Sequence, residues 1–179
     1  MNVQTKSLGM ASEIQIYDNY LSRSDFDSLK FEMGVEPFTT DTPMPWYYQT
    51  FKVHKDDSSQ QFTHHFYANQ RPNSDYFQIL NPLLRKINAL SLIRIKANLQ
   101  LRDSSIKESG MHTDVNIISQ EQKTGVFYIN TNNGKTIFED GKTIDSIENR
   151  MVIFPSSLRH NGTTHTDTLY RCVINFNWI

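Results

Sequence analysis

The chain of 179 residues carries 18 Lys and Arg against 19 Asp and Glu, with a mean hydropathy of -0.54, which fits one domain with a core of ordinary size. Its apolar runs, such as 151–154 and 172–174, fall far short of the ~20 residues that a membrane-spanning helix needs. The first 90 residues hold 8 basic and 10 acidic side chains and the remainder 10 and 9, so neither half offers the basic field on which non-specific nucleic-acid binding relies.

Residues 1–20 contain one lysine and early acids without an apolar segment, so no signal peptide and a cytoplasmic location are expected. In 22–33, Phe26, Leu29 and Met33 recur at helical spacing, with Ser22 or Ser24 as N-cap and Gly34 as the stop, which predicts a short amphipathic helix. Segments 46–53 and 61–68 are rich in aromatic residues and flank the polar run 55–59, the pattern of a hairpin. Over 74–90, Phe77, Leu80, Leu84 and Ile87 keep a helical period, while Pro82, lacking an amide donor, predicts a bent helix or two joined pieces.

The clearest strand signal is 93–102, IRIKANLQLR. Ile93, Ile95, Ala97, Leu99 and Leu101 alternate there with polar residues, and Arg94, Lys96, Gln100 and Arg102 read as a solvated face. Further strands are expected at 125–130, 136–139, 150–154 and 170–178, with turns at 131–134, 140–141 and 155–157. A helical first part followed by closely spaced strands predicts a mainly β fold, a sandwich or barrel with helices packed outside. One domain, 1–179, is expected, with helical and hairpin support in 1–91 and a β core in 92–179. The single cysteine, Cys172, lies in an apolar stretch and reads as a core residue in a reducing compartment.

The residues suited to chemistry are His112-Thr113-Asp114 and His160. In extended backbone, residues i and i+2 point the same way, so His112 and Asp114 can present an imidazole and a carboxylate to one metal ion. His160, beyond the Pro155 turn, stands where a strand end can deliver a third ligand, with His165 as the alternative across the 161–164 turn. Two imidazoles and one carboxylate on one octahedral face leave three positions open, the arrangement of non-haem Fe(II) oxygenases. His54, His64 and His65 have no partner at a telling spacing and are expected on the surface or in the hairpin.

The ordered set HTD, GVFYIN, GKTIFEDG, MVIFPSSLRH and YRCVINFNW, within residues 93–179, resembles the Fe(II)/2-oxoglutarate dioxygenase superfamily. Within it, the likeness is to the prolyl-4-hydroxylase-like branch, which includes small members encoded in phage genomes. The resemblance implies a double-stranded β-helix, a jelly-roll or cupin-like barrel, with His112, Asp114 and His160 holding Fe(II) and with 2-oxoglutarate and O2 as co-substrates. It also implies that Arg171, eleven residues beyond His160, pairs with the far carboxylate of 2-oxoglutarate, a task that suits an always-charged bidentate guanidinium.

Tyr128 falls where related prolyl hydroxylases place a tyrosine touching that carboxylate, core packing being the alternative, and Asn98 is a further candidate contact. Two positions depart from the pattern. Val173 stands where many members carry Ser or Thr, so that one hydrogen bond to the co-substrate is either missing or supplied by Asn175 or Tyr128, and Asn177 stands where nucleic-acid-repair members carry a second arginine.

The implied reaction couples oxidative decarboxylation of 2-oxoglutarate to succinate with hydroxylation of a C–H bond, foremost of a prolyl residue in a protein or peptide. The aromatic residues Trp46, Tyr47, Tyr48, Phe62, Phe66 and Tyr67 would line an entrance or fill the hairpin core. Two alternatives remain: hydroxylation of a free amino acid or small metabolite, which requires an enclosed pocket with an extra charged partner, and a non-catalytic cupin-like binding module.

Overall fold

The computed structural model describes residues 14–35, 44–50 and 60–179. Its elements are, in chain order, β1 (Gln15–Tyr17), α1 (Arg23–Glu32), β2 (Tyr47–Gln49), β3 (Gln61–Ala68), β4 (Arg71–Pro72), a 3-10 turn (Asp75–Leu80) and α2 (Asn81–Ile87). There follow β5 (Leu92–Leu101), β6 (Lys123–Tyr128), β7 (Asn132–Phe138), β8 (Thr143–Ser146), β9 (Arg150–Pro155), β10 (His160–Gly162) and β11 (Tyr170–Trp178). The larger sheet runs β1-β9-β6-β11-β5-β3-β2 with β4 on β3, and the smaller runs β10-β7-β8. All pairings are antiparallel. Bridges from Glu108 to Thr163 and from His112 to His160 carry the smaller sheet one segment further.

Alternation along the central strands explains how two cores form. On β11, Cys172, Ile174, Phe176 and Trp178 join Ile95, Ala97 and Leu99 of β5 in a cluster with Phe26, Leu29, Leu80 and Leu83 of the helices. The opposite face gives a second core, where Val126, Tyr128, Val152, Phe154 and Val173 of the larger sheet meet Phe138 and Ile144 of the smaller. Two facing sheets with helices on one outer side make the mainly β, jelly-roll architecture expected of the sequence.

Helix α1 begins where Ser22 Oγ accepts the Asp25 amide (3.2 Å) and ends before Gly34 at φ 66°. Burial of Phe26 and Leu29 stabilises its docking by roughly 1.5–3 kcal/mol each, and Phe26 meets Phe127 edge-on at 5.9 Å. The break expected at Pro82 is realised as two joined pieces. The 3-10 turn, capped by Ser74, hands over to α2 at Asn81, so Pro82 occupies the first turn, where a missing amide costs nothing.

Several sequence expectations need correction. Residues 132–134 are not a turn but the start of β7, where the register against β8 slips between Asn132 and Lys135. The Asn132 side chain makes this possible by accepting the Gly134 amide (3.0 Å) and donating to the Asn130 carbonyl (3.2 Å). His64 does lie in the hairpin, on β3, but is buried there and not partnerless: its two ring nitrogens are bonded to the Pro45 carbonyl (2.6 Å) and Ser74 Oγ (2.8 Å). Of the supposed solvated face of 93–102, only Arg102, just past the end of β5, is exposed, whereas Arg94, Lys96 and Gln100 point between the sheets. The strands β1, β4, β8 and β10 had no counterpart in the expectations.

Phe66 is fully buried, and Trp46, Phe62 and Tyr67 pack against the helix-side core, while Tyr47 and Tyr48 are exposed. The 55–59 turn, His54 and the end of the 46–53 strand lie outside the described residues. Among the described residues, no helix is long and apolar enough to cross a membrane.

Candidate metal and co-substrate site

The backbones of His112 and His160 are locked together, each amide donating to the other's carbonyl at 3.0 Å. This clamp brings their rings to 5.1 Å between centroids. His112 Nδ1 donates to the Gly110 carbonyl (2.9 Å) and His160 Nδ1 to the Leu158 carbonyl (3.3 Å). Both Nε2 atoms are thereby left as lone-pair ligands of fixed tautomer. His112 Nε2 lies 3.8 Å from Asp114 Oδ1, and one ligand atom from each of His112, Asp114 and His160 falls within 4.8 Å of the others. His165, the alternative ligand, is fully buried and stands outside this group.

Asp114 is almost wholly buried, and what surrounds it keeps it ionised. Arg94 Nη2 lies 3.1 Å from Oδ1, and the amides of Asn175 and Asn177 reach Oδ1 and Oδ2 at 3.4 and 3.5 Å. Burial pushes its pKa up, but Arg94, the two imidazoles and Lys96 outweigh that and hold it below the usual carboxylate value. Burial pushes the His160 imidazole down against the pull of Asp114, favouring the neutral ring that a metal requires. The donor set of two imidazoles and one ionised carboxylate fits a divalent metal with open positions.

A cavity of about 90 Å³ adjoins the triad, lined among others by Lys96, Asn98, Gln100, Thr136, Arg171 and Asn175. Arg171 is 4% exposed, donates through Nε to Ser146 Oγ (3.1 Å), and carries its guanidinium 5.9 Å from the centre of the Tyr128 ring. Among the described residues no carboxylate lies within 4.0 Å of it. A buried, always-charged fork without an acid fits an anionic ligand such as the distal carboxylate of 2-oxoglutarate. Backbone comes close here: a Cβ on Gly134 would sit 2.9 Å from Arg171 Cδ.

Tyr128 is fully buried and shares a 2.7 Å hydrogen bond with Thr136 Oγ1, so it borders Arg171 while Thr136 lines the cavity. Asn98 lines the cavity with its Oδ1 buried and unpartnered, as is Gln100 Oε1. Asn175, a candidate source of the hydrogen bond that Val173 cannot supply, and Asn177, a departure from the pattern, both turn to Asp114, and Val173 lines the cavity. Arg94, Lys96 and Gln100 are the members of the site that sequence reading missed. The available signal was their alternation with the core residues of β5, read with the opposite sense of inside and outside.

The chain matches no protein-family model and no curated protein. Solved structures of like fold include a Pseudomonas putida prolyl-4-hydroxylase, with 12% identity over 94% of this chain and 92% of that one and a TM-score of 0.60. A prolyl hydroxylase from Trichoplax adhaerens, in complex with a hypoxia inducible factor peptide, is 11% identical over 94% and 84%, with a TM-score of 0.64. HygX from Streptomyces hygroscopicus, with nickel, 2-oxoglutarate and hygromycin B bound, is 9% identical over 93% and 82%, with a TM-score of 0.57. At these identities the likeness is one of fold: the chain has the double-stranded β-helix of the 2OG-Fe(II) oxygenases, prolyl hydroxylases among them.

Proposed function

We propose that this protein is an Fe(II)- and 2-oxoglutarate-dependent dioxygenase that hydroxylates a C–H bond. The observation that carries the reading is the pairing of two features in one cavity, a His112, Asp114, His160 ligand set and a buried Arg171 without an acid. His112 Nε2, His160 Nε2 and an Asp114 oxygen would hold the iron, and Arg171 the far carboxylate of 2-oxoglutarate. Iron, 2-oxoglutarate and O2 together supply the oxidising chemistry, in which the co-substrate leaves as succinate and CO2 and one oxygen atom enters the substrate as hydroxyl. The chain's own part is to bind and orient. Arg94 keeps Asp114 ionised, the Gly110 and Leu158 carbonyls fix the imidazole tautomers, and Thr136 with Tyr128 supports the wall beside Arg171.

Hydroxylation of a prolyl residue in a peptide is supported by the prolyl hydroxylases of like fold. Lys96, an extra cation in a small cavity, favours a small-molecule substrate instead. The function is tested by anaerobic titration of metal-free protein with Fe(II) and then 2-oxoglutarate, following the visible charge-transfer band of a chelated keto acid. The band should require both components and weaken in Arg171→Ala. Metal binding without a band would mark a binding module or another metalloenzyme.

A further inference from the structure

The polar row of β5 has a cation to spare. Arg94 is engaged with Asp114, and Arg171, from the neighbouring strand, faces the co-substrate end. Lys96 lines the same cavity, is half-buried, and has no hydrogen-bond or ion-pair partner among the described residues. Asp114, the anion whose field reaches Lys96, is already paired with Arg94, so desolvation of the ammonium is only partly offset. On the same wall of the cavity, Asn98 is buried with its side-chain Oδ1 unpartnered.

Register places Lys96 at the metal end of the cavity. It is paired with Asn175, whose amide reaches Asp114, whereas Arg171 is paired with Gln100. The two levels are four residues of strand apart, about 13 Å, and the five-carbon chain of 2-oxoglutarate spans only about half of that. Charge leads the same way. A bound iron(II) and the 2-oxoglutarate dianion cancel, as do Asp114 and Arg94, so the loaded cavity keeps the positive charges of Arg171 and Lys96 and attracts a further anion. A single ammonium beside one side-chain amide suits one carboxylate better than a phosphate, which draws on several donors.

We propose that Lys96 binds the carboxylate of the substrate, and hence that the molecule hydroxylated is a small carboxylic acid. This rests on the function proposed above and names the substrate class of that site. The test uses Mn(II)-loaded, 2-oxoglutarate-saturated protein and two probes of equal shape, propionate and propionamide, with paramagnetic relaxation of their protons as the readout.

Propionate should be held near the metal about tenfold better than the neutral amide, the value of one charge-assisted contact. In Lys96→Met that preference should vanish, while affinity for 2-oxoglutarate, measured by calorimetry, stays within about twofold. Equal relaxation of both probes in the wild type would overturn the proposal. So would a tenfold loss of 2-oxoglutarate affinity in the variant, which would assign Lys96 to the co-substrate, and so would displacement of propionate by lower concentrations of inorganic phosphate. If wild-type protein binds Mn(II) but not 2-oxoglutarate, the co-substrate reading is what fails, and the two probes still report on Lys96 in the Mn(II)-loaded protein.

Discussion

Asn177 of β11 and Arg94 of β5 are partners across the sheet, and both side chains end on the Asp114 carboxylate. The guanidinium supplies charge and the amide only long, neutral contacts, so Arg94 does most, ahead of the imidazoles and Lys96, to let a carboxylate remain ionised in this interior. The folded-state pKa of Asp114 is depressed, so its contribution to stability is present above the unfolded value and is lost as pH falls through the folded one.

Arg94→Met therefore should destabilise the protein by about 2–3 kcal/mol at pH 7, below the full cost of stripping a wholly buried pair because Arg94 is a fifth exposed. The deficit should shrink as pH falls toward the carboxylate range, since the abandoned Asp114 then takes up a proton. Urea denaturation of the metal-free proteins at pH 7 and at mildly acid pH checks both points. Equal midpoints at pH 7 would show that the asparagines suffice.

Arg171 invites the opposite behaviour. A buried guanidinium with one hydroxyl partner and no acid adds little to the fold, so Arg171→Met should leave stability within about 1 kcal/mol of wild type, or raise it. Affinity for 2-oxoglutarate should fall by about 3 kcal/mol, more than a hundredfold, if the fork holds its distal carboxylate. Calorimetry on metal-loaded protein measures the second quantity and thermal unfolding the first. A variant that loses stability while still binding the keto acid would make Arg171 a structural residue.

Gly134 offers a way to move Arg171 without touching its charge. An alanine Cβ there would lie 2.8 Å from Asn132 Oδ1 and 2.9 and 3.0 Å from Arg171 Cδ and Nε, and the long side chain is the part able to give way. Gly134→Ala should weaken 2-oxoglutarate binding about tenfold while costing the fold only about 1–2 kcal/mol. Affinity for the metal, held from the other end of the cavity, should not change. Unaltered 2-oxoglutarate affinity would mean that the guanidinium reaches its ligand from the displaced position as well.

The sequence made the strands of the core legible because their period of two is local. It showed which residues of β5 share a face, but not which face is inside. A wall of Arg94, Lys96, Asn98 and Gln100 built for charged ligands has the same alternation as a wall facing water. The HTD motif and His160 were readable because ligand chemistry restricts residue type, and the clamp between them needs only an antiparallel bridge. The Arg94–Asp114 pair was not readable, since it joins β5 to a bend twenty residues further on, whose placement no local pattern reports. The 131–134 run misled for a related reason. Its turn-forming asparagine satisfies backbone groups inside a strand as readily as outside one.

Lys96 gives a pH signature independent of any ligand. Burial first, and Arg94 next, push its ammonium down to about 8 from the usual value near 10.5, with Asp114 opposing. Between those two values the unfolded chain holds a proton that the folded protein has released, so stability due to this group rises with pH across that window. Below about 8 both states are protonated and the full cost of the buried charge is present. Lys96→Met removes the group, and the variant should be the more stable protein at pH 7, with the difference narrowing steadily toward pH 10. Denaturant midpoints of both proteins at pH 7, 8.5 and 10 suffice, because Asp114 and His65, the groups on which the Lys96 charge acts, titrate below that range. Parallel curves would mean that water in the cavity solvates the ammonium fully, and that Lys96 carries no penalty for a substrate anion to relieve.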